Sequence, residues 1–203
     1  MHQISPPEAP TLGKEPAVQD FQTLVTRAAA EIGQATAAVS VTELDALIAA
    51  MTASARIVLH GLGREGLMMR ALAMRLYHAG LETHMVGDMS CPPVGSGDML
   101  LVSAGPGAFS TILALVQIAK AAGAKTACVT AIPAAVVPLA CDLVLTIPAQ
   151  TMAQDQTGAG SVLPMGSLFE GAQYLTFEML ILRLRESIGA TPAAMRARHT
   201  NLE

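Results

Sequence analysis

The chain has 203 residues, 52% of them hydrophobic and 14% charged, with a formal net charge of -4. That length supports one domain with a sizeable core, and the apolar content excludes a disordered chain. The acidic balance and the absence of Trp exclude an electrostatic reader of nucleic acid or an anionic membrane surface.

So few charges leave apolar surface to be covered, which predicts a homo-oligomer, a dimer or a tetramer. Met1-His2-Gln3-Ile4-Ser5-Pro6-Pro7 lacks the basic and apolar regions of a signal peptide. The later apolar runs are broken by Lys120, Pro133, Pro138 and Asp142 before they reach the ~20 residues of a membrane span. Cys91, Cys128 and Cys141 are odd in number and lack CxxC spacing, as expected of reduced thiols in a cytoplasmic protein.

Taken in order, residues 1–16 hold four prolines and no periodicity, and read as a flexible leader to one domain over 17–203. Phe21, Leu24, Val25, Ala28 and Ile32 mark one face of a first helix from about Val18. A second starts near Thr42, a plausible cap, and buries Leu44, Leu47, Ile48 and Met51. Strand-like runs follow at Arg56–His60, Thr83–Val86, Met99–Val102, Thr126–Thr130 and Leu143–Ile147. Helices are expected between them at about Glu65–Ala79, Thr111–Ala122 and Val137–Ala140. Continuous apolar strands alternating with helices predict a five-stranded parallel sheet in a three-layer, doubly wound α/β domain. Ligands of such sheets bind at the carboxyl ends of the strands. Residues 148–164 read as a loop long enough for a lid or a subunit contact. A long helix then runs from Ser167 to about Ile188, stopped by Gly189, and Thr191-Pro192 opens a short last one.

Three stretches carry the candidate chemistry. Gly61-Leu62-Gly63-Arg64-Glu65-Gly66 is formally GxGxxG between a strand and a helix, with Asp88 beyond the next strand. A nicotinamide oxidoreductase would use that pattern, but two helices come first and no substrate domain follows. Glycines that bring backbone amides and Arg64 to an anion are the safer general physics, against a plain tight turn. Ser103-Ala104-Gly105-Pro106-Gly107-Ala108-Phe109-Ser110-Thr111 offers hydroxyls and a helix start, as a phosphate cradle or as turn chemistry. Ser167-Leu168-Phe169-Glu170 reads as a capping box, and Glu170, the only acid near that loop, also reads as a general base. His60 ends the first strand and points toward the expected cleft; His199 sits in a polar tail. No histidines or cysteines share metal-ligand spacing, so no metal is expected.

Pro164 to Glu170, the Gly61-x-Gly63-Arg64-x-Gly66 turn, the segment Ala73-Met74-Arg75-Leu76 and the tail Arg198-His199-Thr200-Asn201-Leu202-Glu203 together resemble the sugar isomerase (SIS) domain family. Within it they are most similar to the 6-phospho-3-hexuloisomerases, from about Phe21 to Glu203. That resemblance implies a flavodoxin-like sheet, a tetramer, and conversion of 3-hexulose 6-phosphate to fructose 6-phosphate. The chemistry would be proton shuttling through a cis-enediol, without a cofactor. Glu170 would be the base, and His199, from the same or a neighbouring subunit, would protonate or polarise the carbonyl oxygen. Arg64, Ser103, Ser110, Thr111 and Ser167 would hold the phosphate, beside Gly61, Gly63 and His60. The chain departs from the family at Glu65, where a small Ser is usual, and at His60, where an apolar residue is usual. Its second loop also replaces the usual Ser-Gly-Ser-Gly-Glu-Thr. The alternatives are a non-catalytic sugar-phosphate-binding protein, or an isomerase for a different phosphosugar.

Overall fold

Five apolar runs become strands in the computed structural model, which describes residues 20–155 and 160–202. The leader expected over residues 1–16 lies outside the described residues. The strands are Ile57–Gly61 (β1), Thr83–Met85 (β2), Met99–Ser103 (β3), Lys125–Thr130 (β4) and Leu143–Thr146 (β5). The helices are Phe21–Ala37 (α1), Val41–Ala53 (α2), Gly63–Ala79 (α3), Ser110–Ala121 (α4), Val136–Ala140 (α5), Ser167–Ile188 (α6) and Pro192–Ala197 (α7). Each lies within a few residues of its expected place, and α1 runs five residues beyond Ile32, to Ala37. Among the described residues no single helix is long and apolar enough to cross a membrane.

Every strand pairing is parallel, in the order β2-β1-β3-β4-β5. Chain order reverses direction between β1 and β3, so the loops that follow these two strands diverge and leave a crevice at their carboxyl ends. Side chains alternate between the faces. Leu59, Leu101 and Val129 pack with Met51 of α2, Met69 and Leu76 of α3, and Phe169 and Leu180 of α6. Val58, Val102 and Cys128 pack on the other face with Ile112 and Val116 of α4 and Val137 of α5. Two apolar layers around one sheet make the doubly wound, three-layer fold. Each large side chain removed from water contributes about 2 kcal/mol.

The far end of the sheet is tied by charge. Arg56 donates twice to Asp98, at 3.0 and 2.8 Å, and the Gly95 amide adds a third bond at 3.0 Å. Those bonds, led by the guanidinium, outweigh burial and hold the Asp98 carboxyl below the usual aspartate range.

The helix starts divide into two kinds. Asp20, Ser40 and Thr191 cap α1, α2 and α7 through their side chains, at 3.2, 3.3 and 3.1 Å. Thr42, expected to cap α2, lies inside its first turn. Leu62, Phe109, Ala135 and Gly166 open α3, α4, α5 and α6 and give no side-chain hydrogen bond. The expected Ser167–Glu170 capping box therefore does not form. Gly166, at φ 82°, takes the cap position in a left-handed conformation and moves Ser167 into the helix.

Candidate active site

Three of the four uncapped starts, those of α3, α4 and α6, belong to elements that meet at the crevice between β1 and β3. The first turn is shaped by close backbone approach: a Cβ on Gly66 would stand 2.4 Å from the Gly61 oxygen. Gly63, at φ 54°, then starts α3 at once and presents Arg64 and Glu65 from its first turn. Gly107, at φ 81°, shapes the second loop; its amide bonds Ala104 at 2.8 Å, and its carbonyl accepts from Val137 at 3.0 Å. The third approach is the segment before α6. Glu31 of α1 accepts from the Ser161 hydroxyl and the Val162 amide, and Asp155 accepts from the Met165 amide. The loop expected over 148–164 thus contains a short 3-10 turn, Met152–Gln154, and is tied down at both sides of residues 156–159, which lie outside the described set.

These three segments enclose a cavity of about 460 Å³. Leu62, Gly63, Arg64 and Glu65 line it from the first turn, and Pro106 and Phe109 from the second loop. Met152, Pro164, Met165, Ser167 and Glu170 complete it. Each uncapped helix start leaves amides without intrahelical partners and adds partial positive charge. Arg64, with its side chain 68% exposed, reaches across and pairs through Nε with Glu170, whose side chain is only 12% exposed. That bond does not use the terminal nitrogens of the guanidinium. Cation, dipole ends and carboxylate thus share one volume, which suits an anionic substrate with an exchangeable proton.

A second carboxyl lies in the same cavity, so the expectation that Glu170 is the only acid there is corrected. Glu65 Oε2 accepts from the Ser103 hydroxyl at 2.6 Å and from the Gly105 amide at 2.9 Å. Gln173, fully buried on α6, donates to Ser103 at 2.8 Å. Burial pushes the Glu65 carboxyl above the usual glutamate range against those two hydrogen bonds, and nearby Glu170 pushes the same way. Sequence reasoning noted Glu65 only as a departure and missed Gln173.

The structure gathers Gly63, Arg64, Ser167 and Glu170 of the expected site. It does not bring Ser103, Ser110 or Thr111 to the cavity wall. Ser103 is buried completely and occupied by Glu65 and Gln173. Ser110 and Thr111 are exposed on the first turn of α4, outside the lining. Gly61 contributes its backbone to the turn and does not line the cavity. His60 pairs in register with Val102, whose side chain packs on the α4 face, so it turns away from Glu170. Burial, with the charge of Arg70 nearby, holds its imidazole below the usual histidine range.

His199 is at the wrong end of α3. Its ring stacks on His78 with centroids 5.2 Å apart, in the last turn of that helix. Arg64 stands fourteen residues earlier, a separation of roughly 20 Å along the axis. Within one chain, His199 does not meet Glu170. Among the described residues, no group of three His, Cys, Asp or Glu side chains is placed to hold a metal ion.

A parallel sheet in this order, with glycine turns and an ion-paired carboxylate at its switch point, is the arrangement of the sugar isomerase (SIS) domain proteins. No family model matches the chain. It is 32% identical to a Bacillus subtilis 3-hexulose-6-phosphate isomerase over 85% of this chain and 94% of that one. A Mycobacterium gastri 3-hexulose-6-phosphate isomerase is 33% identical over 85% of this chain and 86% of its own length. Among solved structures, a Methanococcus jannaschii protein, whose crystal structure infers a molecular function of 3-hexulose-6-phosphate isomerase, superposes with TM-score 0.77. It shares 22% identity and covers 88% of this chain and 98% of that one. The chain belongs to the 3-hexulose-6-phosphate isomerase family.

Proposed function

We propose that this protein isomerises a ketose phosphate, 3-hexulose 6-phosphate, to fructose 6-phosphate. The observation that carries the reading is Glu170, nearly buried and ion-paired with Arg64, in a cavity onto which the uncapped starts of α3 and α6 open. The relatives named as 3-hexulose-6-phosphate isomerases support the choice of substrate.

The phosphate would be held by the terminal nitrogens of Arg64, the Ser167 hydroxyl and the amides left without intrahelical partners in the first turns of α3 and α6. That arrangement favours a dianion without a hydroxyl-rich loop. The Ser103, Ser110 and Thr111 hydroxyls are not used. With the phosphate anchored, Glu170 takes the proton from C2 of the 3-ketose, giving the cis-enediol, and returns it to C3. Fixing the reacting carbon beside the base converts a slow bimolecular proton transfer into a local one. No cofactor enters this scheme. His199 reaches such a site only if a neighbouring subunit presents it. Assembly as a dimer or tetramer, in the cytoplasm, is part of the proposal; exposed Phe21, Tyr174, Met179 and Leu182 on α1 and α6 give apolar surface for it.

Incubation of a panel of ketose and aldose phosphates in D2O, followed by NMR, tests the reading. Deuterium should enter at C1 to C3 of one member, with conversion of 3-hexulose 6-phosphate. Glu170→Gln should fold normally and lose about 10³-fold in rate. Raised melting temperature with sugar phosphates but no exchange would make the protein a binder without catalysis. A Glu170→Gln variant with near wild-type turnover would remove the base.

A further inference from the structure

Enediol chemistry needs two proton handlers. One takes the proton on carbon, and the other supplies a proton to the carbonyl oxygen as charge develops there. The His199 imidazole, the other candidate for the second task, is roughly 20 Å from the cavity in its own chain. Glu65 is already in it. Its two oxygens are distinct: Oε2 accepts both the Ser103 hydroxyl at 2.6 Å and the Gly105 amide at 2.9 Å. The Ser103 proton is committed to that bond, because Gln173 donates to the same hydroxyl at 2.8 Å. Among the described residues nothing donates to Oε1, so Oε1 is the oxygen left to carry a proton.

We infer that Glu65 is a second catalytic residue of this site, the acid that protonates the substrate carbonyl while Glu170 takes the carbon-bound proton. The assignment rests on the isomerase reading above. As Glu170 removes the C2 proton, the C2–H electron pair becomes the C2–C3 double bond. The C3 carbonyl π pair then takes the proton from Glu65 Oε1. The enediol collapses the other way: Glu65 recovers a proton from the C2 hydroxyl, and C3 takes the proton held by Glu170. Both residues end as they began. In a cis-enediol the two oxygens lie side by side, so one carboxyl can serve both.

Burial, which raises the affinity of Glu65 for its proton, fits that duty. The titratable and charged groups near it are Glu170 from α6, Arg64 on its own helix, and the Cys128 thiol on β4. Among the described residues no cation bonds Glu65 directly. Two neighbouring carboxyls in different settings, one ion-paired and one desolvated, divide the roles of base and acid.

The test is steady-state kinetics and the D2O exchange assay on wild type, Glu65→Gln and Glu65→Ser, across pH. Glutamine preserves the shape and an oxygen for Ser103 and Gly105, but donates no acidic proton. The expected result is a fall of about 10²-fold or more in kcat, with KM within about threefold. Glu65 works only while protonated, and its protonated fraction falls as pH rises through its raised pKa. Wild-type kcat should therefore decline on that alkaline side, and the decline should vanish in both variants. An active wild type with Glu65→Gln at equal kcat overturns the acid role alone. A lower KM and higher rate in either variant also overturns it, since Glu65 would then be repelling the phosphate. A wild type with no exchange on any sugar phosphate overturns the isomerase reading and this role together. Glu65→Ser supplies the reading if Glu65→Gln does not fold.

Discussion

The two ends of α3 are finished in opposite ways. At its start the cap residue Leu62 offers no side-chain bond, and Gly63, Arg64 and Glu65 face an open cavity. At its end the carbonyls of Leu76, Tyr77 and His78 are all taken. Gly80, at φ 103°, donates to Leu76 and Tyr77, and the Leu81 amide returns to Leu76 at 3.0 Å. Arg198 donates to the His78 carbonyl at 3.2 Å, and His199 covers the His78 ring. One end spends its polar groups on the fold, while the other turns Arg64 and Glu65 toward the cavity. Capping follows that division only in part: α1, α2 and α7 cap themselves, while α4, α5 and α6 do not.

Removing the cation at the open end should erase most of the contrast. Arg64→Ala deletes a charge-assisted clamp and leaves Glu170 without its partner, so kcat/KM should fall by roughly 10²-fold, mostly through KM. Inorganic phosphate should also inhibit the variant less than wild type. Unchanged KM would mean that Arg64 serves only to place Glu170.

A smaller perturbation acts on the neighbouring loop. A Cβ on Gly105 would come within 2.7 Å of Glu65 Oε1 and 2.9 Å of the Phe169 ring. Phe169 is 1% exposed and has no room to retreat, so the Glu65 carboxyl must move. Gly105→Ala should lower kcat about tenfold at nearly constant melting temperature, because proton transfer is sensitive to small misplacement. A wild-type kcat in that variant would show that the site tolerates a shifted Glu65.

The open end of α3 was legible in the sequence because its signals are local. Glycine spacing announces the Gly61–Gly66 turn, and an apolar strand followed by a helix announces where that turn lies. Parallel βα units also lead to the doubly wound sheet with few topologies left over. Glu65 was not legible as a site acid, since its setting is made by Ser103 and Gly105, forty residues away, and by Gln173, more than a hundred. Spacing does not report such meetings. Ser167 misled for a related reason. Ser-x-x-Glu has the pattern of a capping box, but Gly166 adopts the left-handed cap conformation and displaces it by one residue. The hydroxyls of Ser110 and Thr111 were correctly placed on a helix start, yet sequence does not say which way that start faces.

The closed end yields the smallest expected effect and the sharpest comparison. If Glu65 supplies the proton, His199→Ala removes only a stacked ring from the far end of α3 and should keep kcat within about threefold. Its cost should appear as a modest fall in melting temperature, since α7 rests on α3 partly through that ring and through Arg198. A loss above about tenfold would instead place the tail in catalysis. Because Glu170 is out of reach within one chain, that loss requires a neighbour. Mixing His199→Ala chains with Glu170→Gln chains then decides the matter: a site built across subunits regains activity in the mixed oligomer, where one site has both intact residues. A site complete within each chain regains none. The two ends of one helix would then belong to different sites in the first outcome, and to structure and chemistry separately in the second.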